Sequence, residues 1–502
     1  MQSNIRLTCG FFFALLGVYI LTFSGHIYTV DGYQYYAMAQ SMVEKGTLAI
    51  PPVYMTVQGI DKQHYSKLGK GQSVLAIPLY IAGKFVRDRV PDSVIIGMEN
   101  AQAKVRTTLK GNTAVPAYRS FYGEYRPDPL LSFFVLLLSP IITAICLSLV
   151  YYLLTLAGYS CLVALAVSVM AAFSTYFWPS SRDFFTHPLE SVLLLCTVIA
   201  RLQLESRFRY RYFLIMGLCG AFAVHVRITT VVWIPIFGIS LMFVFFKYRA
   251  GRNSWITALS AYLLPVVVAG MGLLLLNYYL FGGFFKTGYH TAYDQGFSTP
   301  LLRGLYSNLL SANSSIFIFA PPFIIACFGW VYFFKNQRLL CLLMISVFLT
   351  YLVMYSKWWV TTGGWCLGPR FLLPTLPLLM LPLAELCAQR GRLRRIYYSV
   401  ILLLSLLGMS FQLVWMSVEY TTMIDLCYGN FFGFSNYLEI FRNSGRETLD
   451  FWYINMFGEI PLFWYIAAVI IPLASLVVGI IIIFRQLSHH RIICTPGSIS
   501  GC

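Results

Sequence analysis

The stretch LLSFFVLLLSPIITAICLSLVYYLLTL, residues 130–156, contains no Asp, Glu, Lys or Arg. As a helix rising 1.5 Å per residue it is about 40 Å long, more than the roughly 30 Å hydrocarbon core of a bilayer. Lipid offers no partner to backbone N–H and C=O groups, so such a run has to be helical. Comparable runs cover residues 8–27, 160–178, 185–203, 212–226, 229–246, 255–280, 314–334, 338–355, 371–388, 396–417 and 461–484. Together they predict an all-α integral membrane protein of about twelve transmembrane helices. Between the first two spans lies a long segment of mixed polarity, residues 28–128, with amphipathic stretches near 33–46 and 72–88 that are too polar to span.

Composition agrees. The chain of 502 residues is 58% hydrophobic and only 11% charged, whereas soluble domains carry roughly a quarter charged residues. The net charge of +17 resides in short basic clusters between apolar runs. No zinc-finger spacing or basic helix accompanies them, so nucleic acid is not an expected partner. Cys146, Cys161, Cys196, Cys219, Cys327 and Cys341 sit inside apolar runs without metal-ligand spacing and read as small apolar side chains. Cys366 and Cys427 are the pair whose bonding sequence alone leaves open. Arg6 ahead of an apolar stretch ending at Ile27 imitates a signal peptide; with no convincing small-x-small site after it, it reads as a retained first span.

The order of charges sets the orientation. With the N-terminus inside, the cytoplasmic loops hold Arg207, Arg209 and Arg211; Lys247, Arg249 and Arg252; Lys335 and Arg338; Arg390, Arg392, Arg394 and Arg395; and Arg485 and Arg491. Positive charge favours the cytoplasmic side in short loops, and each cluster falls there, so both termini are expected inside. Six separate places then come to the outer face: Asp31, Lys67–Gly71, the Arg182–His187 turn, Arg227, the 281–312 loop and the Trp358–Arg370 loop. Ionisable groups at a membrane are costly unless they face a cavity or a partner.

Each place offers chemistry beside a plainer role. In VDGYQYYAMAQSMVEKG, residues 30–46, Asp31 can take a proton from an acceptor hydroxyl or simply cap the next helix. In YSKLGKGQSVLAIPLY, residues 65–80, Lys67 and Lys70 stand among glycines before an amphipathic helix, suited to a phosphate or to lipid headgroups; a P-loop pattern is absent. WPSSRDFFTHPLES, residues 178–191, groups Arg182, Asp183 and His187 in one turn, as substrate contacts or as an Arg182–Asp183 ion pair. Arg227, between two apolar runs in AVHVRITT, either snorkels or binds an anion. In YSKWWVTTGGWCLGPRF, residues 355–371, the tryptophans, Trp365 among them, form an aromatic belt or a shaped loop, and Arg370 offers a planar fork to phosphate oxygens. The 281–312 loop adds Lys286, Tyr289, His290 and Asp294.

Six elements in this order resemble the GT-C fold membrane glycosyltransferases that use polyprenyl-phosphate sugars, the broad family of protein O-mannosyltransferases and the lipid A aminoarabinose transferase. They are Asp31 after the first span, YSKLGKGQSVLAIPLY, WPSSRDFFTHPLESVLLL (178–195), VRITTVVWIP (226–235), LLRGLYSNLLSANSSIFIFAPP (301–322) and GGWCLGPRFLLPTLPLL (363–379). They cover residues 1 to about 390. The resemblance implies a GT-C-like catalytic module over residues 1–390, followed by C-terminal membrane helices in 391–502 with an outer loop at 418–460 and a short cytoplasmic tail.

It further implies an inverting glycosyltransferase of a bacterial inner membrane with its site on the extracytoplasmic side. Asp31 would be the base; Lys67, Lys70, Arg227 and Arg370 would bind the donor phosphate; and Asp183, His187, Tyr289 and Trp365 are candidate substrate contacts. The implied partners are a polyprenyl-phosphate-linked sugar, an acceptor that is a glycolipid, glycan or protein, and membrane lipid. Two departures bear on cofactors: Gly32 follows Asp31 where many relatives have Glu, and His187-Pro188 stands where relatives often have an acid. No cofactor is therefore assigned, and a divalent metal stays open. A transporter or lipid flippase is the competing class, disfavoured by the lack of an internal repeat and by ionisable residues at one face instead of the midplane.

Overall fold

The structure, a computed structural model, describes residues 2–108, 126–249, 251–289, 296–312, 314–361, 363–364, 366, 368–389, 393–417 and 450–493. Its frame is a bundle of long helices: α1 (Gln2–Thr22), α5 (Pro129–Leu156, which continues across a tight turn at Leu137), α6 (Cys161–Phe173), α7 (His187–Ser206) and α8 (Tyr210–Val226). These are followed by α9 (Trp233–Tyr248), α10 (Arg252–Phe281), α11 (Leu301–Leu309), α12 (Pro322–Asn336), α13 (Arg338–Lys357), α14 (Leu393–Ser417) and α15 (Leu462–Ile493).

Among the described residues eight helical stretches are long and apolar enough to cross a membrane. The chain is thus a multi-pass membrane protein. The remaining four expected spans are helical but short (α6, α8, α12) or interrupted by Glu190, Arg201 and Glu205 (α7). Hydropathy along the chain is the same for a core helix and a lipid-facing one, which is why about twelve is the number read from sequence.

The span Arg370–Ala388 lies at the centre, almost wholly buried. It is not one helix. Pro374, Pro377 and Pro382 break it into a 3-10 turn, Arg370–Thr375, and two short helices, Leu376–Met380 and Leu383–Ala388. Proline lacks an N–H and clashes with the preceding turn, and irregular backbone is tolerated at this depth because protein, not lipid, surrounds it. Around this span Leu372, Leu376, Met380, Leu383, Met344, Val347, Phe237 and Leu194 are all essentially unexposed.

The segment after α1 packs against the end of the bundle. It contains α2 (Val30–Glu44), a two-stranded antiparallel ribbon of β1 (Thr56–Gln58) and β2 (His64–Ser66), then α3 (Gly71–Arg87) and α4 (Asp92–Thr108). In the ribbon Val57 pairs with Tyr65. The amphipathic stretches near 33–46 and 72–88 are α2 and α3; α4 is a further helix of this segment, and the two-stranded ribbon alone modifies the all-α expectation. The basic loops gather at the other end. There Lys247 Nζ donates to the Glu205 carbonyl at 2.8 Å and Tyr159 donates to Glu385 at 2.6 Å.

Candidate functional site

Asp31 belongs to the first turn of α2. The cap of that helix is Thr29, whose Oγ1 accepts from Gly32 N at 3.1 Å, so the capping role considered for Asp31 is filled two residues earlier. Freed of it, the Asp31 side chain meets Arg370, whose Nη1 donates to Oδ2 at 3.0 Å. The pair is only half-buried, with 22% of the Asp31 side chain and 17% of the Arg370 side chain exposed. Oδ1 of Asp31 has no hydrogen-bond partner among the described residues.

Arg370 starts the broken central span. Its guanidinium carbon lies 4.3 Å from the Phe185 ring centroid and 5.4 Å from that of Phe371. Gly363 lies directly over its stem: at φ +94° this glycine adopts a conformation L-residues avoid, and a Cβ there would come within 2.5 Å of Arg370 Cγ. The glycines of GGWCLGPR thus let the loop fold onto the arginine. Trp365 lies outside the described residues.

Arg227 reaches the same place from the break between α8 and α9. The helix ends at Val226, Arg227 is extended, and a 3-10 turn, Ile228–Val232, leads into α9. Arg227 Nη1 is 2.9 Å from His187 Nε2 and 3.8 Å from Glu190 Oε1. Its guanidinium carbon is 4.6 Å from the Phe371 ring, so both arginines lie against the same aromatic side chain. The Phe371 ring also stacks on Tyr355 at 4.5 Å. Aromatic faces attract guanidinium groups, which here holds two like charges near each other without a carboxylate between every pair.

Glu190, one turn into α7 and fully buried, also accepts from Thr186 Oγ1 at 3.1 Å. Sequence reading passed over this acid, although its position in the otherwise apolar beginning of α7 is a signal. Asp183 is buried within electrostatic reach of Arg370. Burial pushes its carboxyl well above the usual carboxylate range, and the Arg370 charge opposes that shift. The Arg182–Asp183 ion pair does not form. Arg182 turns instead to Asp450, which His26 Nε2 also meets at 2.9 Å, while Arg182 Nη1 donates to the Met416 carbonyl at 2.7 Å. Adjacent residues in a tight turn point different ways, and a fully buried carboxylate is the stronger partner for a buried guanidinium.

The lysine loop joins from the ribbon. Lys67 is buried, its Nζ 4.9 Å from the Tyr289 ring, and Tyr289 in turn lies within electrostatic reach of Arg227 and Tyr35. Gly69 packs on the end of α8 so closely that a Cβ would come within 2.1 Å of the Val226 carbonyl oxygen, next to Arg227. Lys70 Nζ bends back to the carbonyls of Ser66 (2.8 Å) and Leu68 (2.7 Å), and burial lowers its ammonium to about 8. Tyr35, one turn beyond Asp31 on α2, is raised by burial and by the Asp31 charge.

Asp31, Asp183, His187, Arg227, Tyr289, Arg370 and Lys67 therefore converge, with Lys70 at the margin. His290 and Asp294 lie outside the described residues, as does Cys427, the suggested partner of Cys366. Among the described residues no three His, Cys, Asp or Glu side chains gather closely enough to hold a metal ion. Chemically, the arrangement offers a carboxylate with one open oxygen beside several cations at the end of a membrane bundle.

No protein-family model matches the chain, and no curated protein matches it. Solved structures similar to the chain include two of one protein. The crystal structure of ArnT from Cupriavidus metallidurans bound to undecaprenyl phosphate is 10% identical, with a TM-score of 0.49, covering 97% of this chain and 77% of that one. The apo state of the same protein is 9% identical, with a TM-score of 0.43, covering 93% of this chain and 75% of that one.

Proposed function

We propose that the protein is an inverting GT-C-type glycosyltransferase that moves a sugar from a polyprenyl phosphate to an acceptor hydroxyl at the extracytoplasmic face of a bacterial inner membrane. The observation that supports it best is the partly exposed Asp31–Arg370 pair, 3.0 Å apart, with Arg227 against the same Phe371 ring as Arg370. A base and a phosphate-binding group are thereby adjacent at the end of the bundle opposite the basic loops. The positive-inside rule assigns those loops to the cytoplasm, so the site faces outward.

In this reading the acceptor hydroxyl approaches Asp31 Oδ1 and attacks the anomeric carbon from the side opposite the phosphate. A bond forms between the acceptor oxygen and the anomeric carbon as the bond from that carbon to the phosphate oxygen breaks. The hydroxyl proton passes to Asp31, and polyprenyl phosphate leaves with the bonding pair. A single displacement inverts the configuration. Negative charge grows on the departing phosphate, and Arg370, Arg227, Lys67 and Lys70 offset it where water is scarce. Arg370 also orients Asp31 through Oδ2, leaving Oδ1 for the proton. Asp183 and His187 stand beside Arg370 and Arg227 as substrate contacts, and Tyr289 packs on Lys67 as the side of the site nearest the 281–312 loop. The acceptor is a glycolipid, a cell-envelope glycan or a protein.

The direct test is transfer from a polyprenyl-phosphate sugar by Asp31→Asn, which keeps size and hydrogen bonding. Loss of a general base typically lowers the rate by about 10²–10⁴. Turnover within a few-fold of the parent enzyme would end the assignment. Mass spectrometry of envelope glycolipids and glycoproteins with and without the gene identifies the sugar and the acceptor.

A further inference from the structure

At the far end of α7 the bundle holds a second place where an ionisable group meets an opening. Arg201 is buried 14 residues beyond His187, about 21 Å along the helix from the candidate site. Its Nε donates to Ser240 Oγ at 3.2 Å and its Nη1 to Glu205 Oε1 at 3.2 Å. Nη2 has no hydrogen-bond partner among the described residues. The guanidinium lines a half-open crevice between α7, α9 and α13, with Ser346 on its α13 wall.

We infer that this crevice binds one anionic phospholipid from the leaflet on the side of the basic loops. Three features identify the occupant. The walls are apolar and face outward, with Ile239 65%, Phe243 51% and Leu342 44% exposed; in a membrane such walls are met by acyl chains. Arg201 stands five residues before the end of α7, about 7.5 Å below it, close to the boundary between chains and headgroups. The rim is basic. Lys247 reaches across to the Glu205 carbonyl, Arg207 follows α7 and Arg338 opens α13, so one cation meets Glu205 and two more stand at the ends of helices that wall the crevice. Basic pockets between membrane helices on that side characteristically take acidic headgroups. A phosphate at the crevice mouth satisfies Nη2, and its chains cover the three walls.

The test is native mass spectrometry of the full chain released from detergent, after incubation with phosphatidylglycerol, with phosphatidylcholine of the same chain length, or with polyprenyl phosphate. One retained phosphatidylglycerol per protein is expected, with retention about ten-fold above phosphatidylcholine. Arg201→Gln brings the two lipids to parity. Ser346→Trp, which fills the crevice from its exposed wall and leaves Arg201 in place, reduces retention of both. A melting curve checks each variant, and should Arg201→Gln fail to fold, Ser346→Trp alone decides. Equal retention of the two lipids by the parent protein overturns the inference. So does an undiminished phosphatidylglycerol adduct in Ser346→Trp, a preference for polyprenyl phosphate over phosphatidylglycerol, or a dimer in place of a lipid adduct.

Discussion

Asp31 gives one carboxylate oxygen to Arg370 and keeps the other open, and that division sets what nearby substitutions should do. Under the proposed mechanism, Arg370→Ala removes the group that orients the base and one donor to the leaving phosphate. Loss of one such donor lowers turnover by about 10²–10³, and because the ion pair is partly exposed, the melting temperature should move little. Arg370→Lys keeps the charge without the planar fork and should recover only part of the rate; full recovery would reduce Arg370 to a point charge. Lys70 predicts a pH effect. Its folded-state pKa, about 8, lies below the ordinary 10.5, so between those values the unfolded chain binds more protons than the folded one. Stability from this group therefore rises with pH through that window. The phosphate contact proposed for Lys70 runs the other way, because above about pH 8 the ammonium is lost. A pH profile of kcat/KM should fall on its alkaline side near 8, and Lys70→Met should abolish that limb while lowering the plateau.

Breaks between elements position the site more than the elements themselves do. Thr29 starts α2 just before Asp31, Arg227 occupies the extended residue between α8 and the 3-10 turn, and Arg370 opens a proline-broken span. A side chain at such a break escapes the helical ladder and can turn sideways toward a neighbour. The Ser66–Gly71 turn shows how tightly two breaks are fitted, since Gly69 rests on the carbonyl of Val226. Gly69→Ala has to lift the lysine loop away from Arg227. Overpacking of this kind costs about 1–3 kcal/mol. The expected readout is a KM for the lipid donor raised by about ten-fold or more with an intact bundle. An unchanged KM would separate the lysine loop from donor binding.

Across the whole molecule, the site and the basic loops occupy opposite ends, and one buried network ties the chain's distant parts together beneath the site. Asp450, fully buried, meets His26 after α1 and Arg182 before α7, and Asn455 Nδ2 donates to it at 3.2 Å. Removing one partner of a buried pair strands the other and costs about 3–5 kcal/mol. Asp450→Asn should therefore lower the denaturation midpoint markedly. It should also show a large coupling with Arg182→Met in a double-mutant cycle; a near-zero coupling would mean that the network carries no tertiary load.

The sequence by itself determined the membrane class, the segregation of basic loops from the remaining ionisable groups, and most residues of the candidate site: Asp31, Lys67, Arg227, Arg370, Asp183 and His187. These depend on runs and order along the chain, which a bilayer reads directly. Only the tertiary structure decided the pairings. Asp31 and Arg370 are 339 positions apart, Arg182 finds Asp450 across 268, and Glu190 turns inward to Arg227 from a helix whose sequence reads simply as a span. Which helices lie side by side, and at what depth their polar groups meet, is set by lateral packing, and hydropathy along one dimension does not encode it.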